Sequence, residues 1–229
     1  TTLFRSGKNI FKNVITNGIV LAEDGQKMSK SKKNVVDPNR IIDAYGADTA
    51  RLFMLSDSPP ERDLEWTDAG IDGAWRYVNR LWKLVQDNKS AVLSAKGNIA
   101  DVQDAELLKK RKLIHYTIDQ VTRTIDWFHY NKAVALIREL SNALGEINST
   151  ASNEAALVMK EGLETLSLLV APLLPHLAEA LWEELGHQGG IIKTSWPKAD
   201  PTLLSEDTVT VAVQLPNFTG PASRGTSKM

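Results

Sequence analysis

The chain has no cysteine, and that one absence removes disulfides, thiol nucleophiles and thiolate metal sites together. Its four histidines, His115, His129, His176 and His187, lie far apart with no paired-ligand spacing, so no metal site is expected. Charge of either sign is not in excess: 28 Asp and Glu against 27 Lys and Arg leave a formal charge of −1. No global basic field advertises nucleic acid, and any RNA contact must come from local patches. No apolar run reaches the length of a membrane span and the amino-terminal residues lack a signal-peptide core, which makes the cytoplasm the default location. What is present, 42% hydrophobic and 24% charged residues over 229 positions, is enough to bury a core in one or two domains.

One short loop concentrates chemistry. Lys27-Met28-Ser29-Lys30-Ser31 is followed at once by Lys32 and Lys33, placing ammonium groups and hydroxyls together. Such a loop suits a polyphosphate whose charge grows as a bond to it breaks. A solvated basic turn is the plain alternative, and the flanking residues decide between the two. Downstream run Asn34-Val35-Val36-Asp37-Pro38, then Tyr45-Gly46-Ala47-Asp48-Thr49-Ala50-Arg51, and then Asp63-Leu64-Glu65-Trp66. Gly70 to Arg76, Asn79-Arg80-Leu81-Trp82, the Phe128-His-Tyr-Asn131-Lys132-Ala133 stretch, Ala171-Pro172, Pro175-His176 and Leu181-Trp182 continue the pattern. Over roughly residues 10–214 the chain resembles the leucyl-tRNA synthetases of class I, with KMSKS as their second nucleotide motif. The Asp63–Trp66 and Gly70–Trp82 segments favour leucine over an isoleucyl or valyl relative.

The hydropathy pattern outlines the rest. Residues 10–22, rich in β-branched side chains and broken by Asn17-Gly18, read as two short strands or a strand and a turn. Asp37 before Pro38 is a helix start, Gly46 ends that helix, and Asp48 begins another. The Pro59-Pro60 pair within Ser56–Glu61 is the clearest break. From Thr67, Ile71, Ala74, Val78, Leu81 and Val85 recur at helical spacing, with Trp75 and Trp82 read as core beside that stripe. Asn88 to Asn98 reads as a polar connector. Leu107 to Ile125, Val134 to Ile147, Leu157 to Val170 and Leu177 to Leu185 supply further helices. The fold class is therefore mainly α: an antiparallel helix bundle, like the anticodon-binding domain of such synthetases, after a small α/β segment. The expected division is residues 1–57 as a stem-contact segment with the KMSKS loop and 58–186 as the helical tRNA-binding bundle. Residues 187–229 are expected to be a linker, one strand over 208–214 and a disordered tail.

The resemblance implies roles residue by residue. Lys27 and Lys30 are assigned to the ATP phosphates as the catalytic pair, with Met28, Ser29 and Ser31 completing the nucleotide-binding set and Mg2+ as the nucleotide counter-ion. Arg76, Arg80 and Lys83 lie close to one helix face and are the candidate contacts for tRNA(Leu). Lys109-Lys110-Arg111-Lys112 must wrap its helix and read mainly as a solvated turn. Asp63 and Glu65 read as bracing, and His129 as structural.

The implied reaction joins ATP, L-leucine and tRNA(Leu) into leucyl-tRNA, AMP and diphosphate. The chain holds no His-x-Gly-His, the first nucleotide motif of class I, so alone it is expected to bind ATP weakly and leave leucine unactivated. Leucine becomes a partner only when an N-terminal half is supplied. A non-catalytic tRNA-binding or interaction module derived from such an enzyme is the rival reading. Thr1 to Gly7 look unrelated to the family pattern and the match stops at Leu215, which suggests a truncated or rearranged product or a cut fragment.

Overall fold

The computed structural model describes residues 15–204 and the backbone of 208–211 and 225–228. Thr1 to Gly7 and the first part of the expected 10–22 strand region lie outside the described residues.

Among the described residues of that region, Val20–Leu21 (β1) alone form a strand. It pairs in parallel with Leu64–Glu65 (β2), which lay in a stretch read as bracing rather than strand. Bracing is nevertheless what Asp63 does: its carboxylate accepts the Ile19 N–H at 2.9 Å, beside the Leu64 N–H to Ile19 carbonyl bond. Gly18 makes no turn with Asn17. It is required because a Cβ there would sit 2.1 Å from the Arg62 carbonyl oxygen, so only glycine lets the two segments close.

Two short helices follow the lysine loop. Helix α1 (Pro38–Tyr45) begins as expected: the Asp37 carboxylate accepts the Asn39 N–H at 3.0 Å, Pro38 takes the first position, and Gly46 at φ +83° ends it. Helix α2 (Ala47–Ser56) packs Leu52 and Phe53 inward. Helix α3 (Asp68–Ser94), capped by the Thr67 hydroxyl, is the longest. Helices α4 (Ala105–Asp126), α5 (Tyr130–Gly145), α6 (Asn153–Val170) and α7 (Pro175–Glu184) complete the mainly helical fold. Asp104 and Ser152 cap α4 and α6 through their side chains.

One apolar core runs through all of this. Ile41, Phe53 and Leu64 belong to the same buried cluster as Leu81, Ile114, Leu140 and Leu166, so no gap in packing follows Pro59-Pro60. Each such side chain contributes roughly 1.5–3 kcal/mol relative to exposure. Two readings are corrected here. Asn88 to Ser94 is helix, not connector, because Val92 extends the buried stripe seven residues beyond Val85 while Asn88 bonds the Ser149 hydroxyl at 2.6 Å. Trp75 and Trp82 are not core: they are 40% and 37% exposed, since one step past Ala74 and Leu81 turns each about 100° off the stripe.

The segment after α7 is docked rather than free. Trp196 donates its indole N–H to Thr122 at 2.8 Å and the Asp200 N–H reaches His115 Nδ1 at 3.0 Å. Thr208–Val211 (β3) falls within the expected strand, but it pairs antiparallel with Gly225–Lys228 (β4), in a stretch whose composition reads as a disordered tail. The residues between these strands lie outside the described residues.

Candidate functional site

The lysine loop hangs between β1 and α1. A tight turn returns the chain after β1, with the Ala22 N–H to Gln26 carbonyl bond at 2.8 Å and a bridge between Leu21 and Lys27. From there Lys30–Lys32 makes one 3-10 turn, for which the Ser29 hydroxyl accepts the Lys32 N–H at 3.3 Å and also meets the Ser31 hydroxyl at 3.1 Å. Lys33 closes the turn in the left-handed region at φ +55°.

Asn34, which sequence reasoning used only as part of a match, is the brace of the loop. Its Oδ1 accepts the Ser29 N–H at 2.9 Å and its amide donates to the Lys27 carbonyl at 3.3 Å. Two backbone groups are held by one side chain, and an Asn three residues before an N-cap Asp carries no such signal in the sequence. Met28 is half-buried over an apolar hollow of about 290 Å3 lined by Val20, Val36, Ile41, Met54 and Trp66. Packing from below and Asn34 from the side therefore fix the backbone.

The side chains that matter face outward. Lys27 and Lys30 are exposed, and among the described residues neither has a carboxylate partner, whereas Lys32 donates to the Gln26 side chain at 3.0 Å. A loop with a fixed backbone and two uncommitted ammonium groups can meet a polyanion without first breaking ion pairs.

Behind the loop, α2 is tied to the far end of the chain by Asp48. This carboxylate is 7% exposed and carries three partners: Arg51 at 2.8 Å, His176 Nδ1 at 3.0 Å, and the Leu177 N–H at 2.7 Å. It thereby caps α7 from another helix, a role that no local pattern around Asp48 or His176 reveals.

On α3, Arg76, Arg80 and Lys83 are all exposed and fall within a narrow arc of the helix, as their spacing implied. Arg80 lies over the ring of buried Tyr77 at 5.6 Å, with Arg138 on the same ring at 4.7 Å. Burial pushes the Tyr77 hydroxyl up to about 12, and it bonds Ser141 at 3.1 Å. Lys83 forms an exposed pair with Asp87 at 2.8 Å, which a competing anion displaces at little cost.

The second basic cluster is structural where it is resolved into partners. Arg111 is buried and makes two bonds to Glu161, at 2.9 and 3.3 Å. His115 Nδ1 accepts from Asp200, leaving Nε2 to face Glu161 at 3.2 Å. Burial alone would raise the Glu161 carboxyl, but the hydrogen bonds from His115 and Arg111 outweigh it and hold the group below its ordinary 4.5. Lys109 pairs with Glu106, and Lys110 with Glu146. His187 stacks on Trp182 at 3.8 Å and bonds Glu164, and among the described residues no cluster of His, Cys, Asp and Glu could hold a metal ion. Nor, among them, is any helix long and apolar enough to cross a membrane.

Two separate stretches of the chain match models of known families. Residues 1–67 match the model of class I tRNA synthetases for isoleucine, leucine, methionine and valine, and residues 110–217 match that of the anticodon-binding domain of tRNA ligases. Because the first match starts at residue 1, Thr1 to Gly7 are not foreign to the family as the sequence suggested. The leucine–tRNA ligase of Paramagnetospirillum magneticum is 59% identical over 190 residues, which is 83% of this chain and 22% of that protein. That of Rhodospirillum centenum is 48% identical over 200 residues, covering 82% of this chain and 23% of its own length. The chain thus spans about a quarter of the length of the curated relatives it matches. Among solved structures, a ternary complex of LeuRS, tRNA and LeuAMS from Agrobacterium radiobacter superimposes with a TM-score of 0.80 at 27% identity, covering 93% of this chain and 27% of that one. A Mycobacterium tuberculosis methionyl-tRNA synthetase shares the fold at a TM-score of 0.67 and 20% identity, covering 79% of this chain and 40% of that one. Matching in sequence and in fold from the lysine loop through the helices, the chain belongs to the leucyl-tRNA synthetase family of class I as a portion of such an enzyme.

Proposed function

We propose that this chain is the part of a leucine–tRNA ligase that grips the ATP phosphates and carries the tRNA(Leu) body. The observation that supports it most is the lysine loop itself: Lys27 and Lys30 exposed and without carboxylate partners among the described residues, on a backbone fixed by Asn34 and Met28. In the complete enzyme the leucine carboxylate attacks the α-phosphorus of ATP and diphosphate leaves. The two ammonium groups stabilise the negative charge that builds on the departing phosphates. Ser29 and Ser31 hold the turn that aims them, and Mg2+ enters with the nucleotide as its counter-ion. The second step passes the leucyl group to tRNA(Leu) and releases AMP.

In this reading residues 1–57 are the stem-contact segment and the helices within 58–186 form an antiparallel bundle for tRNA, in a cytoplasmic enzyme. Arg76, Arg80 and Lys83 neutralise backbone phosphates, a contact that positions the RNA without reading its sequence. The absence of His-x-Gly-His supports the further statement that the chain alone does not activate leucine. The test is reconstitution with the separately produced amino-terminal part of a leucine–tRNA ligase, followed by leucine-dependent ATP–pyrophosphate exchange. Exchange is expected only with both parts present, and K27A/K30A should lower it on the order of 10²–10³-fold. Exchange by the chain alone, or exchange indifferent to both lysines, would overturn the proposal.

A further inference from the structure

The outward flank of α3 carries more than cations. Trp75-Arg76 and Trp82-Lys83 repeat an aromatic–basic pair seven residues apart, close to two helical turns. The two indoles therefore lie on one line, roughly 10 Å apart along the axis, and each has a cation about 100° further round. Both rings are more than a third exposed, and each directly follows a buried residue, Ala74 or Leu81. Trp75 is held in place: Tyr45 meets it edge-on at 6.3 Å, and the Tyr45 hydroxyl is itself fixed by donating to Asp72 at 2.8 Å.

Each indole on this flank keeps aromatic surface in water beside the cations, whereas Tyr77 of the same helix is buried on the inner face. The flat π-face of an indole suits a nucleobase, and the neighbouring charges suit the phosphates on either side of that base. We infer that Trp75 and Trp82 form a stacking platform on α3 for unpaired nucleotides of the tRNA whose phosphates meet Arg76, Arg80 and Lys83. The inference rests on the tRNA-binding reading above and deepens it, adding base-face contacts to the backbone ones. The charge complementarity of the flank favours RNA over an apolar protein surface, which would gain nothing from the cations.

The experiment is equilibrium binding of a tRNA(Leu) transcript to the full chain at several salt concentrations, with tryptophan fluorescence as a second readout. W82A and W75A should each weaken binding about tenfold or more while leaving the salt slope unchanged. W82F, which keeps a ring, should retain most of the affinity and lose part of the quenching seen on RNA addition. R76Q, R80Q and K83Q together should instead flatten the salt slope. Tryptophan variants that fold, judged by circular dichroism, and bind like the parent overturn the platform while the tRNA reading stands. A chain with no salt-dependent tRNA binding at all overturns both. Loss of association with the synthetase remainder but not with tRNA in W75A and W82A would assign the flank to a protein interface and equally overturn the platform.

Discussion

Asp48 is a single side chain on which two distant parts of the chain meet. Its two oxygens serve Arg51, His176 and the Leu177 N–H, so truncation leaves a partly buried helix end uncapped and a guanidinium without its partner. D48A is expected to lower stability by about 2–3 kcal/mol, and D48N, which can still cap, by less; urea unfolding monitored by circular dichroism measures both. Equal stability of D48A and the parent would show that the α2–α7 link carries no weight. Glu161 adds a pH dependence. Its carboxyl is held below 4.5 in the folded chain, so its contribution is fully present above that value and drains away as pH falls through the lowered one. E161Q should therefore be less stable than the parent at neutral pH, and the difference should shrink below about pH 4. A difference that grew on acidification would reverse the sign of the argument.

At the level of elements, helix starts and stops were legible because they are local chemistry. Asp37-Pro38 and Gly46 fixed α1 in advance, and the apolar spacing located the cores of α3 to α7. What escaped was whatever depends on a partner remote in sequence. Asn88 looks like loop until Ser149 supplies its bond, and β2 is two residues long and exists only because Ile19 and Leu21 offer carbonyls to it. The tryptophans of α3 were misjudged because hydropathy registers that a residue is apolar, not which side of a stripe it lies on. The candidate site divides in the same way: the lysines and serines announce themselves, while Asn34, which holds their backbone, does not. Packing between α5 and α6 is equally invisible in the sequence. A Cβ on Gly162 would lie 2.3 Å from Leu144 Cδ2, and Leu144 is fully buried. G162A should cost about 1–3 kcal/mol with an unchanged urea m-value, against no loss if the two helices can part freely.

Over the whole molecule, the lysine loop and the helices are parts of one packed body. The loop rests on Met28 above a hollow whose wall includes Ile41, and Ile41 belongs to the same core as the long helices. A phosphate-binding loop needs that support, because ammonium groups on a wandering backbone would lose in entropy much of what they gain in charge stabilisation. The slight overall negative charge is no obstacle, since Lys27, Lys30, Lys32 and Lys33 on the loop and Arg76, Arg80 and Lys83 on one flank of α3 form local positive clusters. The most direct test of the phosphate grip is lysine acylation footprinting by mass spectrometry on the chain reconstituted with the synthetase remainder, with and without ATP. ATP should protect Lys27 and Lys30 while exposed lysines distant from the loop, such as Lys83, label as before. Equal labelling of Lys27 and Lys30 in the presence and absence of saturating ATP would contradict the assignment of this loop to the triphosphate.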